Sequence, residues 1–149
     1  MNVGKYKMFR FSKKSLNILS NKVNPQLQDL MNRIIKVSKI DIGIIAGFRS
    51  AEEQNYIYNS QASKCDGYIK RSKHQDGNAI DFICYDNKDN KITYNIKYYY
   101  YIVGLAEQIA RELNIKINCG IWWSFEDGGH IEVVESWKLK VDNWKLLEG

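Results

Sequence analysis

An α+β fold, with helices packed on one side of a small, mostly antiparallel sheet, is predicted by three features of the 149-residue sequence. Apolar residues recur at three- and four-residue spacing over 25–37 and 96–113, as one buried helix face requires. Short β-branched runs at 40–46 and 78–85, bounded by polar or glycine positions, read as strands. Helical signals come early and hairpin signals late, an order that sets helices against one side of an antiparallel sheet.

The length is that of one domain with one core, so residues 1–149 are expected to form a single domain. Hydrophobic residues make up 44% and charged residues 26%, which excludes an intrinsically disordered chain. No run reaches the roughly 18 to 20 apolar residues of a membrane span, so no membrane insertion is expected. The opening MNVGKYKMFRFSKK lacks the apolar stretch of a signal peptide, and export by the general secretory route is not expected. Lys and Arg number 22 against 17 Asp and Glu. The resulting +5 favours a polyanionic partner, whether nucleic acid, anionic lipid or acidic wall polymer. Cys65, Cys84 and Cys119 are odd in number and never paired as C-x-x-C, which argues against a disulfide framework or a zinc ribbon and for reduced core thiols. With one proline, no repeat and no low-complexity tail, no linker to a second module is visible.

The elements follow in order. A short helix fits 11–22 with Ser12 as its cap. Asn24 then Pro25 starts a second, because an Asn side chain accepts orphan amides and proline loses nothing at the first helical position. Its inward face is Leu27, Leu30, Met31, Ile34 and Val37. After the strand at 40–46 the chain turns through 47–50, and Ser50 with Glu53 forms a capping box for a helix over 51–60. Residues 61–75 are polar and read as a loop, long enough to suggest function. The strand at 78–85 is followed by a hairpin turn at 86–91 leading to Ile92, Thr93 and Tyr94. The helix over 96–113 buries Tyr99, Val103, Ala106, Ile109, Ala110 and Leu113, and half of its tyrosine run 98–101 is packing. Strands at 118–123 and 130–134 close the fold around the turn SFEDGG. Alternation puts one of Trp122 and Trp123 in the core and the other toward a cleft.

Only His74 and His130 offer imidazoles, and both stand in glycine-containing polar segments at strand edges. Asp81 follows His74 by seven residues, across a turn that Gly77 allows. Two imidazoles and one carboxylate, with a fourth position open to water, make the ligand set of a catalytic zinc. Spacing alone leaves hydrogen-bonded surface histidines as the alternative.

Ser72, His74, Gly77, Ala79 and Asp81 stand as S-x-H-x-x-G-x-A-x-D, and Asp127 with His130 as D-x-x-H. Together with F-S-x-x-S at Phe11 and G-F-R-S-A-E-E-Q at Gly47, in the same order, the chain resembles the zinc peptidases that include D-alanyl-D-alanine carboxypeptidases and L-alanyl-D-glutamate endopeptidases, on the phage endolysin branch of T5-like lysins. The likeness covers nearly the whole chain. It implies a single catalytic peptidase domain, 1–149, of the fold shared with hedgehog and DD-peptidases, with a zinc cleft on the face of the sheet. It implies zinc held by His74, Asp81 and His130, Asp127 as general base, and Arg49 as a basic residue for binding or oxyanion stabilisation. Such an ion activates water and polarises the amide carbonyl, and Asp127 would move the water proton to the leaving amine. The metal's two charges would cancel those of Asp81 and Asp127, leaving Arg49 to favour a carboxylate-rich substrate.

Duller readings stand beside these. Ser72 binds substrate or orients a ligand, or it merely caps a turn. Arg49 alone could be a surface ion pair. Gln54 lines the cleft or is an ordinary exposed helical residue. Glu132, two residues from His130 on a strand, points to the same face, whereas Glu126 points to solvent. A glycine at 129, where proline often precedes the last histidine, makes that turn less certain. The resemblance implies a monomeric endolysin that cleaves peptidoglycan stem peptides, bound to no nucleic acid, held in the host cytoplasm until the membrane opens and then acting at the periplasm and wall. Its rivals are a D-alanyl-D-alanine carboxypeptidase, disfavoured by Asp in place of Glu at 127, and a silent binding module for wall polymer or nucleic acid.

Overall fold

The structure, a computed structural model, describes residues 7–124 and 127–134. Glu126 lies outside them. Helix α1 (Lys13–Ser20) opens on Ser12, whose hydroxyl accepts the Ser15 amide, and α2 (Pro25–Val37) opens on Asn24, whose side chain accepts the Gln26 amide. Strand β1 (Ile42–Ala46) leads to α3 (Ala51–Asn59), where the Ser50–Glu53 capping box is complete. Then follow β2 (Ala79–Tyr85), β3 (Ile92–Thr93), the long α4 (Ile96–Glu112), β4 (Ile117–Cys119) and β5 (His130–Val133). The strands join in the order β1-β2-β5-β4, with β3 beside β2, and every pairing is antiparallel.

Alternation divides the sheet cleanly. Ile42 and Ile44 of β1, Ile80, Phe82 and Cys84 of β2, and Ile131 and Val133 of β5 are buried with α1, α2 and α4 in one core. Each fully buried aliphatic side chain there contributes on the order of 2 kcal/mol. Because side chains alternate, Asp81, His130 and Glu132 point to the opposite face. The helices thus make the core on one side, and the chemistry-bearing residues take the other.

Several details differ from expectation. Val37 is 60% exposed and Ile35 is in the core in its place, because Leu27, Leu30, Met31, Ile34 and Ile35 form the buried three- and four-residue stripe and Val37 falls off it. The polar segment 61–75 ends in a 3₁₀ turn, Lys73–Asp76. The fourth strand stops at Cys119: the Gly120 carbonyl accepts the amides of both Trp123 and Asp127, at 3.1 and 3.0 Å, and winds the chain into a 3₁₀ turn. Neither Trp122 nor Trp123 therefore enters the core; both are exposed. The Trp122 indole donates to Glu107, and the Trp123 ring stands 5.0 Å from that of His130. Cys84 and Cys119 are buried free thiols whose pKa values burial pushes up to about 12, while Cys65 is only half-buried, outside the core. Tyr99 is packed, and its hydroxyl accepts the Cys84 amide and donates to the Thr93 carbonyl.

Candidate metal centre

His74 sits in the 3₁₀ turn before β2. The Ser72 hydroxyl accepts the His74 amide at 3.2 Å, and the Gln75 side chain returns to the Ser72 amide at 2.8 Å, so a small capping box sets the turn. Gly77 ends it with a left-handed φ of 71°. A Cβ there would also stand 2.1 Å from the Lys22 carbonyl oxygen, so both conformation and space require glycine. Asp81 follows at the third position of β2, directly opposite His130 of β5 in the strand register.

The turn before His130 is closed by backbone. The Asp127 carbonyl accepts the His130 amide at 3.3 Å, and the Gly129 carbonyl accepts the Phe82 amide at 2.9 Å. A Cβ on Gly129 would lie 2.2 Å from the Phe82 carbonyl oxygen, which explains the glycine at this position.

These elements bring His74, Asp81 and His130 together, with one donor atom of each within 4.8 Å of the others. His74 Nε2 lies 3.4 Å from Asp81 Oδ2, and His130 Nδ1 lies 3.1 Å from Asp81 Oδ1. The other nitrogen of each ring is already engaged. His74 Nδ1 is 2.8 Å from the Gly47 carbonyl, which can only accept, so that nitrogen carries the proton. His130 Nε2 is 2.9 Å from Glu132 Oε1. Each imidazole therefore turns its second nitrogen, His74 Nε2 and His130 Nδ1, toward Asp81, the arrangement in which a metal-ligating histidine is fixed by an acceptor behind it. The set suits a divalent ion of borderline softness.

The electrostatics agree. Burial raises the Asp81 pKa, but hydrogen bonds and charge from His130 and His74 outweigh it and hold the carboxyl well below the usual carboxylate range. Burial lowers that of His130, but hydrogen bonds to Asp81 and Glu132, with the charges of Asp81 and Asp127, win and push it up to about 9. Without metal, protons supply the positive charge this carboxylate is built to face.

Asp127 is exposed at the edge of the same site and, with Asp81, lines a recess of about 320 Å³. Crowding by the surrounding protein and then the Asp81 charge raise its pKa. Arg49 donates to Asp81 Oδ2 and to Gln54 Oε1, both at 3.3 Å, so it is no isolated surface ion pair. Gln54 is fully buried, and its amide nitrogen donates to Ser63 Oγ and the Cys65 carbonyl at 2.9 Å. It backs Arg49 from beneath and does not line the cleft wall. Ser72 is half-buried and spends its hydroxyl on the turn that carries His74, the capping alternative. The Trp123 ring beside His130 is one of the two that alternation offered to a cleft, without a choice between them; the Gly47 carbonyl behind His74 had no signal in the sequence.

The fold is similar to the crystal structure of Serratia marcescens L-Ala D-Glu endopeptidase ChiX, with a TM-score of 0.75 and 23% identity over 89% of this chain and 95% of that one. The chain is also 33% identical over 140 residues to the L-alanyl-D-glutamate peptidase of Escherichia phage T5, covering 85% of this chain and 98% of the relative. Fold and site together define a peptidase of the class built around a His–Asp–His group able to hold a metal. More narrowly, residues 7–136 match the model of the phage L-alanyl-D-glutamate peptidases, and the chain belongs to that family.

Proposed function

We propose that this chain is a phage endolysin that hydrolyses the L-alanyl-D-glutamate bond of peptidoglycan stem peptides, with zinc held by His74, Asp81 and His130. The observation that carries this reading is the convergence of those three side chains within 4.8 Å beside Asp127. When bound, zinc supplies a water of lowered pKa and polarises the scissile carbonyl.

The protein's own residues account for the rest. Gly47 and Glu132 hold the two rings so that His74 Nε2 and His130 Nδ1 face inward. The Asp127 carboxylate accepts the proton of the attacking water and passes it to the leaving amine nitrogen; its raised pKa moves it toward values useful for both steps. Arg49, braced by Gln54, lends positive charge to the cleft edge, where stem carboxylates bind and negative charge develops. Ser72 acts through the His74 turn. The enzyme acts on the cell wall, as a monomer without nucleic acid, reaching it from the host cytoplasm once the membrane has opened. Among the described residues no helix is long and apolar enough to cross a membrane.

The test is digestion of purified peptidoglycan with and without chelator, with the new termini identified by mass spectrometry and bound metal by elemental analysis. New L-alanine carboxyl and D-glutamate amino termini, lost on chelation, are expected. Free D-alanine as the sole product would replace this reading with a carboxypeptidase.

A further inference from the structure

The strand pairing next to Asp81 is irregular. Ile44 pairs with Phe82 and Ala46 with Asp81, so Ile45 is the extra residue of a β-bulge in β1. Bulges beside active sites re-aim a side chain. Here the bulge leaves Ile45 unpaired and 54% exposed, next in sequence to Ala46, which is paired with the metal-ligand candidate Asp81.

Ile45 stands between two hollows, and Arg49 lines just one of them. On one side is the recess of about 320 Å³, which it lines with Tyr94, Ile96, Gly128, Asp81 and Asp127. Tyr94 is 81% and Ile96 39% exposed, so this wall is apolar surface offered to solvent beside the site. Among the described residues, the only charged side chains lining it are the two carboxylates. On the other side Ile45 shares a hollow with Arg49 and Glu53, and the Glu53 carboxylate is engaged at the Ser50 amide. Uncharged, methyl-bearing groups are therefore favoured against Ile45, Tyr94 and Ile96 in the recess, and an anionic group beside Arg49, the one cationic side chain lining either hollow among the described residues.

The proposed substrate has the same asymmetry about its scissile bond. The glutamyl side carries a free carboxylate. The alanyl side carries a methyl group and is acylated by the methyl-bearing lactyl group of the glycan, with no charge. We infer that the recess beside Asp127 binds this uncharged L-alanyl and lactyl end, and that Ile45 is the specificity-determining wall between it and the carboxylate side at Arg49. The inference rests on the proposed reaction.

Two synthetic peptides test it, N-lactoyl- and N-formyl-L-alanyl-γ-D-glutamyl-L-lysine, assayed with wild type, Ile45→Ala and Tyr94→Ala while bound metal is measured. Both positions are exposed, so the variants should fold. On the lactoyl peptide each variant is expected to raise KM about tenfold with kcat and metal content little changed, the usual worth of a lost apolar contact. On the formyl peptide wild type itself loses about as much, and the variants lose little more. Equal losses on both peptides, or no loss on either, would overturn the subsite while leaving the reaction standing. If wild type cleaves neither peptide, the reaction and the subsite fall together.

Discussion

Glu132 Oε1 lies 2.9 Å from His130 Nε2, so one residue of β5 fixes the proton of another two positions earlier on the same face of the strand. With Nε2–H committed to Glu132, Nδ1 is the nitrogen left to meet an ion at the site. Glu132→Ala should weaken metal affinity by about 10- to 100-fold, whereas Glu132→Gln, which retains an acceptor oxygen, should keep most of it. Competition against a chromogenic chelator reads this directly, and equal affinities for Ala and Gln would refute the role.

Asp127→Ala should lower kcat by about 10²- to 10⁴-fold with metal content intact, because the proposed proton carrier is lost while the candidate ligand group remains. His74→Ala should lose metal as well. Elemental analysis beside a turbidity assay separates the two, and a metal-free Asp127→Ala protein would count against the division of roles.

Gln54→Ala leaves a buried Ser63–Cys65 contact and one Arg49 donor without their partner. The expected cost is about 1 to 3 kcal/mol of folding stability, accompanied by reduced activity through the loosened Arg49. Urea denaturation measures the first; unchanged stability would show that the buried amide is dispensable.

In chelator-treated protein the His130–Asp81 pair should make stability depend on pH. The folded pKa of His130 is raised from 6.5 to about 9, so its contribution is complete below about 6.5 and is lost as pH rises through 9. Asp81 is depressed from 3.8, so its contribution is complete above that value and is lost as pH falls toward the depressed one. The metal-free Tm should therefore decline between pH 6.5 and 9, and metal should flatten that decline. A metal-free Tm that climbs over this interval would contradict the coupling.

The convergence of His74, Asp81 and His130 was legible because residues able to form such a site are chemically rare and sit at motif spacing: two histidines in the chain, and a carboxylate seven residues past the first. The helices and main strands were legible through apolar periodicity and caps such as Asn24 and Ser50, since those signals are local. What failed depended on distant partners. Trp122 and Trp123 read as a strand because the hydrogen bond from the Asp127 amide to the Gly120 carbonyl links positions seven apart with no local mark. Gln54 was read as lining the cleft or as an ordinary exposed helical residue, since nothing in its helix announces the loop at 63–65 that buries it. The Ile45 bulge belongs to the pairing of β1 with β2 and has no signature in β1 by itself.

The inward-facing nitrogens come from the turn before β2 and from β5, while the carbonyl that steadies the first of them follows β1. An ion seated among them would act as a clasp on three stretches of chain far apart in sequence. The enzyme's endurance should then track the free metal around it: scarcity would release the turn before β2 from β5, and abundance would make the whole sheet harder to pull apart.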